Sequence, residues 1–496
     1  MSENRPVRRI VIAGGGTAGW MVAAAIARTL GKVLDIKLIE SDEIGTVGVG
    51  EATIPPLVHF HRLLNIAEQD FMAATQATFK LGILFEGWRD RGEDYVHSFG
   101  TTGQDHWTAG FQHFWLKGRE RKIATDYGDY CLELKASLES KFAHLPNNRM
   151  NYAYHLDAGL YARFLRKFAE PLGVQRIEGK IVEVPVDPTT GFIQSVKLDS
   201  GALIEGDLFL DCTGFRGLLI GNALHVGYED WSHWLFCDSA VALQTESVGP
   251  ALPYTRSIAH ESGWQWRIPL QHRVGNGHVF SSSHIDQDVA LRELIDGLDA
   301  APIGEPRLLK FTAGRRERMW ERNCVAIGLA SGFIEPLEST SIHLIQQAVF
   351  RLMALFPDKG FNPAETAKFN SLLIEEYEYI RDFIVLHYKA TQRDDSDFWN
   401  YCRTMDIPDR LAEQIELWRG RGRIFRPGYS LFTEVSWIAV LAGQNVMPEA
   451  VDPLIAVIPP EANRQILADT RQVIARAADA MPRHEDYIRQ YCAAPG

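Results

Sequence analysis

The feature that most restricts how this chain folds is a glycine-rich turn, Gly14–Gly19, close to its amino terminus. A β-branched run over Arg9–Ala13 precedes the turn, and an alanine-rich segment over Trp20–Leu30 follows it. The pattern predicts a buried strand, a tight turn and a helix, which together open a βαβ unit. In such a unit the glycines let the backbone approach a pyrophosphate, which then lies at the amino terminus of the helix.

The turn therefore predicts a dinucleotide-binding site, and a glycine-rich turn without a ligand is the alternative. A second predicted strand, Asp35–Ile39, is followed by Glu40. This acid stands about 20 positions after the turn, where a carboxylate takes the ribose hydroxyls. The candidate cofactor contacts of this unit are Gly14, Gly16, Thr17, Ala18, Gly19 and Glu40.

The composition is that of an ordinary globular protein and excludes several classes of function. Among 496 residues, 46% are hydrophobic and 23% charged, which rules out a disordered chain, a collagen and a disulfide miniprotein. A net charge of -12 gives no electrostatic reason to bind nucleic acid or an anionic membrane. The six cysteines show no CxxC pair or zinc spacing, so we expect buried, reduced thiols and no metal site. Without a signal peptide or a membrane-spanning run, a cytoplasmic location is expected.

The rest of the chain predicts a large α/β unit followed by helices. Buried strands are predicted at Asp207–Asp211, before Gly214, and at Cys324–Gly328. Both segments resemble the distal contacts of FAD-binding monooxygenase-type proteins, so FAD is favoured over NAD, with Gly214 and Gly328 as contacts. Asp157, Ser341 and Asn362 are each predicted at or near the start of a helix. We expect an FAD-binding domain over 1–355, with 80–150 contributing to the substrate side, and a mainly helical substrate-side subdomain over 356–496.

The most specific signal is the pattern WxWxIP in Trp264–Pro269. With the glycine turn, the stretch Gly48–Pro55, Lys80, and Phe333–Ser341 (FIEPLESTS), it makes the chain resemble the flavin-dependent halogenases of the tryptophan halogenase family over nearly its whole length. The resemblance implies a Rossmann-type FAD-binding domain with an inserted antiparallel sheet. Within Gly48–Pro55 it adds four cofactor contacts: Gly50, Glu51, Ala52 and Thr53.

The resemblance also implies a reaction. Reduced FAD, oxygen and a halide give hypohalous acid, which travels through a tunnel to a separate substrate site. A shield on the flavin side, made of Trp264, Trp266, Ile268 and Pro269, keeps the substrate from being hydroxylated directly. For the tryptophans alone, cross-strand packing is the alternative interpretation.

Two residues match the catalytic positions of this family. Lys80 would engage hypohalous acid through a hydrogen bond or a transient haloamine, because lysine is both a donor and a nitrogen nucleophile. Glu338 would stabilise the arenium intermediate and take its proton. The alternatives are a solvated surface lysine and an acid favoured by the start of a helix.

The halide and substrate sites follow from the same resemblance. Free backbone N–H groups at Thr340 and Ser341 suit a halide, with plain helix capping as the alternative. The family usually has glycine at the position of Ser341, so the serine puts the halide geometry in doubt. His97 and Phe99 match an element whose rings sandwich an indole, although a core histidine and phenylalanine are nearly as good an interpretation.

The native substrate is less defined. The strict tryptophan enzymes carry adjacent tyrosines and a glutamate that grip the amino-acid head group, whereas this chain offers Tyr429, Glu434 and Trp437 without adjacent tyrosines. A bare indole, or an aromatic group within a larger molecule, fits at least as well as tryptophan. We expect Trp437 to pack in the helical core rather than to wall the pocket.

Two other functions remain open. An FAD-dependent aromatic monooxygenase is one, but residues 329–332 after Gly328 lack the acid that many FAD hydroxylases place there. A catalytically silent flavin-binding protein is the other, and intact Lys80 and Glu338 argue against it. With no second nucleotide fingerprint, reduced FAD is expected from a separate NAD(P)H-dependent reductase. The oligomeric state is expected to be a monomer or homodimer.

Overall fold

A computed structural model describes residues 5–44, 50–106, 109–146, 150–428 and 430–495. The strands of these residues are β1 (Arg9–Ala13), β2 (Asp35–Glu40), β3 (Gly50–Ala52), β4 (Thr78–Lys80), β5 (Gly82–Asp90), β6 (Glu93–Ser98), β7 (Ala153–Asp157), β8 (Val174–Glu178), β9 (Ile181–Glu183), β10 (Ser195–Leu198), β11 (Leu203–Glu205), β12 (Leu208–Asp211), β13 (Tyr228–Asp230), β14 (Ser239–Thr245), β15 (Thr255–Ala259), β16 (Gly263–Pro269), β17 (Val274–Phe280), β18 (Pro302–Lys310), β19 (Gly314–Arg316), β20 (Trp320–Glu321), β21 (Cys324–Ala326) and β22 (Gly332–Phe333).

The helices lie between the strands in the first part of the chain and follow one another in the last part. They are α1 (Thr17–Leu30), α2 (Pro56–Leu64), α3 (Glu68–Thr75), α4 (Phe111–Glu120), α5 (Leu132–Leu138), α6 (Ala158–Ala169), α7 (Gln287–Asp296), α8 (Ser341–Ala354), α9 (Pro363–Lys389), α10 (Asp397–Thr404), α11 (Asp409–Arg421), α12 (Glu434–Gly443), α13 (Pro453–Ala456), α14 (Pro460–Asp479) and α15 (His484–Tyr491).

A six-stranded sheet carries the amino-terminal unit. Its order is β20-β21-β12-β1-β2-β8, and every pair is parallel except β20 with β21. The core strands β1 and β12 are apolar except for Arg9 at the start of β1 and Asp211 at the end of β12, because helices cover both faces of such a sheet. The carboxyl ends of β1, β2, β12 and β21 therefore share one edge, where ligands bind in folds of this type.

A seven-stranded sheet is inserted into this unit, with the order β18-β14-β17-β16-β15-β5-β6. It is antiparallel apart from the pair β5–β15, in which Ile83 lies opposite Thr255. The WxWxIP motif forms β16, a buried strand between β15 and β17. The fold class expected from the sequence, a Rossmann-type α/β domain with an inserted antiparallel sheet, is confirmed.

Helix starts follow the expected chemistry. The Asp157 carboxylate caps α6 by accepting from the Leu160 N–H at 2.9 Å, and the Asn362 side chain caps α9 by accepting from Ala364. Helix α1 begins at Thr17 rather than Trp20, because Gly16 already serves as its N-cap.

The cysteines are all buried and unpaired, as expected. Within the described ranges, no helix is both long enough and apolar enough to cross a bilayer.

Candidate active site

The glycine turn opens onto a large cavity at the carboxyl edge of the parallel sheet. Its volume is about 700 Å³, the size of a cofactor pocket. Ten of the predicted cofactor contacts line it: Gly14, Gly16, Thr17, Ala18, Glu40, Gly50, Glu51, Ala52, Gly214 and Gly328. The fold thus brings glycine motifs that are more than 300 residues apart in the sequence to one cavity.

The turn has the geometry that a pyrophosphate needs. Gly14 adopts φ +107°, and a Cβ there would lie 2.2 Å from the Cys212 carbonyl oxygen. At Gly16 a Cβ would meet nothing within 4 Å, so the backbone is open to the cavity. No side chain caps the start of α1, which leaves its first N–H groups available to an anion. These residues fit FAD, and they would hold its phosphates and ribose.

Two predicted contacts have a structural task instead. A Cβ at Gly19 would lie 1.8 Å from the Gly14 carbonyl oxygen, so this glycine permits the close packing of α1 on the turn. The Thr53 hydroxyl donates to the Tyr154 carbonyl at 2.8 Å and accepts from the same residue's N–H at 3.0 Å. Neither residue lines the cavity, and their contact with FAD stays a prediction, which would act through the backbone that they position.

Glu40 lies in the cavity wall, but its carboxylate already has partners. Oε1 accepts from Arg176 at 2.5 Å, and Oε2 accepts from the Trp20 indole N–H at 3.2 Å. These contacts fix the carboxylate over the turn, where a Cβ on Gly15 would collide with it. Binding to ribose stays a prediction, and it would use the remaining lone pairs of this anchored group.

Asp211 precedes the segment Cys212–Gly214, which lines the cavity, and the sequence analysis did not single it out as a site residue. Its buried carboxylate accepts from the N–H and hydroxyl of Thr213 and from the N–H groups of Leu219 and Ile220, at 2.6 to 3.0 Å. These bonds provide acceptors for the first backbone N–H groups of a π-helical turn over Leu218–Ala223. They hold the loop that presents Gly214 to the cavity.

Three of the four residues of the predicted shield line the same cavity, and Pro269 does not. Trp264, Trp266 and Ile268 line it from alternate positions of β16, and the two indole rings meet edge to face at 6.2 Å. Pro269 ends the strand, and its carbonyl accepts from the Thr78 hydroxyl at 2.7 Å. The two tryptophans are thus both packed against each other and exposed to the cavity.

Lys80 is completely buried at the end of β4. Its Nζ donates to the Ser339 hydroxyl at 2.9 Å and lies 5.2 Å from the centre of the Phe99 ring. Burial lowers the pKa of Lys80 to about 7, against the opposing effect of the Glu338 charge. Ser339 also lines the large cavity, so the lysine is one hydrogen bond away from it.

Glu338 is equally buried and is held by two histidines. His97 Nδ1 lies 3.0 Å from both carboxylate oxygens, and His387 Nε2 lies 2.9 Å from Oε1, out of line with a straight hydrogen bond. Burial alone would raise the pKa of Glu338, but the attraction of His97 and the close contacts of both histidines outweigh it and lower the pKa to about 2. The acid is therefore a carboxylate at neutral pH.

A chain of hydrogen bonds continues behind His387. Gln444 donates to the Tyr95 hydroxyl at 3.3 Å, and that hydroxyl lies 2.7 Å from His387 Nδ1. Since the phenol is the donor that faces Nδ1, the imidazole presents Nε2–H toward Glu338. His387 was missed by the sequence analysis because a histidine near the end of a long helix has the pattern of a core residue.

The start of α8 lies beside this acid. Thr340 is its N-cap, and the buried Thr340 hydroxyl finds no hydrogen-bond partner among the described residues. Ser341 is the first helical residue and lines the cavity. The left-handed backbone falls on Ser339, at φ +59°, so Ser341 keeps its N–H as a possible donor without backbone strain.

The predicted substrate residues belong to a cluster of aromatic rings. The rings of His97 and Phe99 are 6.5 Å apart and nearly perpendicular, while Phe383 lies 5.6 Å from His97. Phe432 stacks on Phe383 at 3.8 Å, and Trp437 meets Phe383 edge to face at 5.2 Å. Sequence reasoning missed Phe383 and Phe432, which have no motif around them.

Three residues that the sequence analysis quoted, Gly48, Val49 and Tyr429, lie outside the described residues. Glu434 is the first residue of α12.

Comparisons with known proteins agree with one another. The family model described as tryptophan halogenase matches residues 9–460. Tryptophan 7-halogenase RebH of Lentzea aerocolonigenes is 35% identical over 98% of both chains. Among solved structures, Xcc4156, a flavin-dependent halogenase from Xanthomonas campestris, is 58% identical with a TM-score of 0.98, over 99% of this chain and 100% of that one. BrvH, a flavin-dependent halogenase from Brevundimonas sp. BAL3, is 45% identical with a TM-score of 0.94, over 98% and 99%.

Proposed function

The chain belongs to the tryptophan halogenase family and is a flavin-dependent halogenase, and we propose that it halogenates an electron-rich arene of the indole class by the steps that follow. The observation that carries these steps is the position of Ser339. This residue lines the flavin cavity, accepts a hydrogen bond from Lys80 and is the chain neighbour of Glu338. An oxidant made in the cavity thus has a short route to both catalytic side chains.

Bound reduced FAD, with oxygen and a halide, supplies hypohalous acid. The halide is held at the start of α8, where the backbone N–H of Ser341 and the free Thr340 hydroxyl are donors. Trp264 and Trp266 line the flavin cavity, and their bulk would keep an arene from the substrate side away from the flavin. The separation makes halogenation, rather than oxygen insertion, the outcome.

Lys80 receives the hypohalous acid. Its ammonium donates a hydrogen bond to the oxygen of that acid, or its neutral amine is itself halogenated with release of water, and this second task needs an amine that is not permanently charged. Burial provides this by lowering the pKa of Lys80 to about 7, so that a large fraction is neutral at physiological pH. The Ser339 hydroxyl keeps the nitrogen aimed at the route from the cavity.

Glu338 completes the substitution. When the halogen adds to the ring, the arenium cation is stabilised by the nearby carboxylate, which then takes the ring proton. A carboxylate whose pKa is about 2 is a weak base, but an arenium ion is a far stronger acid than any side chain. The two histidines hold the carboxylate in place, and they share the positive charge that the proton brings to it.

The substrate is proposed to be an indole that lacks a free amino-acid head group, or that is part of a larger molecule. The rings around His97 and Phe99 are apolar, and adjacent tyrosines that would grip a head group are absent from the sequence. RebH, 35% identical to this chain, is named as acting on tryptophan, so free tryptophan is the substrate against which the proposal is compared. Reduced FAD comes from a separate NAD(P)H-dependent flavin reductase.

The test is mass spectrometry of an arene incubated with the protein, a flavin reductase system, FAD, oxygen and either bromide or chloride. Indole should acquire a halogen isotope pattern, and free tryptophan should react more slowly. The pattern should disappear in Lys80→Ala and persist in Lys197→Ala, a matched control whose side chain on β10 is partly exposed and paired with Glu183. Oxygen insertion without halogen would instead establish a monooxygenase, and no product with any arene would refute both.

A further inference from the structure

A second buried acid lies three residues before Glu338 and has no role in the steps above. Glu335 is 0% exposed, and one of its oxygens accepts from the Tyr388 hydroxyl at 2.5 Å. Its other oxygen, Oε2, has no hydrogen-bond partner among the described residues. A buried carboxyl oxygen that accepts no hydrogen bond destabilises the fold, so its presence calls for a functional or structural explanation.

One unpaired donor in the same region is the indole N–H of Trp264, whose ring lies 6.2 Å from that of Trp88, which in turn lies 5.2 Å from the ring of Tyr388. This N–H is also buried without an aligned partner, and it interacts with Glu335 closely enough to oppose the rise that burial causes in the pKa of the acid. Two tryptophans on neighbouring elements differ in this respect. Trp88 donates to the Ser257 carbonyl at 3.0 Å and Trp399 to the His260 carbonyl at 2.8 Å. The N–H of Trp264, by contrast, has no backbone carbonyl as its acceptor among the described residues.

The surroundings of Glu335 favour its neutral form. Tyr388 and Trp264 are neutral donors, and the Cys237 thiol lies 3.9 Å from the Tyr388 hydroxyl. In the described part of the chain no cation forms a salt bridge with Glu335. Burial without a cation raises the pKa of Glu335 to about 7, whereas Glu338, beside two histidines, is driven in the opposite direction.

We propose that Glu335 is a positioning residue that holds the Trp264 ring in the wall between the flavin cavity and the substrate side, by accepting from Trp264 and Tyr388 together. Tyr388 follows His387 on α9, so consecutive residues of one helix hold the two acids of one loop. The shield strand β16, the catalytic loop and α9 are thereby joined through Glu335. The inference rests on the proposed shielding role of Trp264.

The first test observes the tryptophan directly. In protein labelled with ¹⁵N at its indole nitrogens and without added FAD, the cross-peak missing from Trp264→Phe identifies Trp264. In Glu335→Leu this N–H should exchange with deuterium about tenfold faster and shift upfield, as expected for one lost hydrogen bond. Glu335→Gln, which keeps an acceptor of the same shape, should restore the wild-type rate. The Trp266 peak, from the same wall, is the internal control.

The second test measures how well the wall separates the two sides. The yield of halogenated indole per reduced FAD consumed should fall several-fold in Glu335→Leu, with a matching gain in hydrogen peroxide, and should return in Glu335→Gln. Glu335→Asp, which shortens the side chain, should give an intermediate yield and exchange rate and is used where the leucine variant does not fold. An unchanged Trp264 peak in Leu and Asp variants would overturn the proposal. If wild type forms no halogenated product, the proposed function fails while the exchange data still decide this inference.

Discussion

Burial of Lys80 makes a prediction about stability as well as about catalysis. The pKa of Lys80 is lowered from 10.5 to about 7 because the protonated amine is deprived of water. The difference of about 3.5 in pKa, at about 1.4 kcal/mol for each unit, amounts to a cost of about 5 kcal/mol for keeping this cation in the fold. A neutral, unbranched side chain of similar length should therefore stabilise the protein while it abolishes halogenation.

The sign of the effect depends on pH. Below pH 7 the amine is protonated in both the folded and the unfolded chain, so the whole cost is present. Between pH 7 and 10.5 the folded chain releases the proton first, and the cost declines as the pH rises. Lys80→Met should gain about 5 kcal/mol at pH 6 and only about 2 kcal/mol at pH 9.

Thermal unfolding of the wild type and Lys80→Met at pH 6 and pH 9 checks this. The unfolding entropy of a chain of 496 residues is about 1 kcal/mol per kelvin, so we expect a gain in Tm of about 5 °C at pH 6 and about 2 °C at pH 9. Lys197→Met is the matched control, since its exposed ion pair with Glu183 contributes little at either pH. A Lys80→Met variant that is no more stable than wild type at pH 6, or whose advantage does not shrink at pH 9, would refute the reasoning.

Three further outcomes are expected. Glu338→Gln, which loses its charge toward His97, should lower kcat for halogenation about 10² to 10³-fold with the FAD affinity unchanged, measured by steady-state product formation and flavin titration; a decrease of less than tenfold would contradict its role. Ser341→Gly should shift the chloride-to-bromide product ratio in a competition assay because the serine side chain enters the proposed halide site, and an unchanged ratio would exclude that site. Asp211→Ala should destabilise the fold by about 3 kcal/mol, seen as a lower Tm, because four hydrogen bonds to one buried carboxylate are lost; a Tm within 1 °C of wild type, which here means about 1 kcal/mol, would contradict this.

The parts of the fold that the sequence predicts are those fixed by short-range chemistry. The turn after β1, the caps at Asp157 and Asn362 and the alternation of Trp264 with Trp266 depend on neighbouring residues, and all four are found. The parallel pairing of β5 with β15 could not be predicted from neighbouring residues. It joins strands about 170 residues apart, and no periodicity within either strand specifies such a partner.

The site residues also divide into those that the sequence predicts and those that only the tertiary structure reveals. Lys80 and Glu338 were identified by their resemblance to a family, but the hydrogen bond that joins their neighbourhoods spans 259 positions and depends on the left-handed backbone at Ser339. His387 and Glu335 carry no such signal. Their importance arises from what the tertiary fold places beside them, since a buried histidine or glutamate in a sequence does not show its neighbours.

The two acids of the FIEPLESTS loop show why the neighbours matter more than the residue type. Both are completely buried glutamates, three positions apart, yet the pKa of Glu335 is raised to about 7 and that of Glu338 is lowered to about 2. An acid that has to take a proton needs partners such as histidines, which stabilise its charge before the transfer. An acid that has to hold a tryptophan in place is better neutral, because an uncompensated charge in the wall of a cavity would attract water into the barrier that the ring forms. Exchanging their surroundings, rather than their side chains, would therefore exchange their functions.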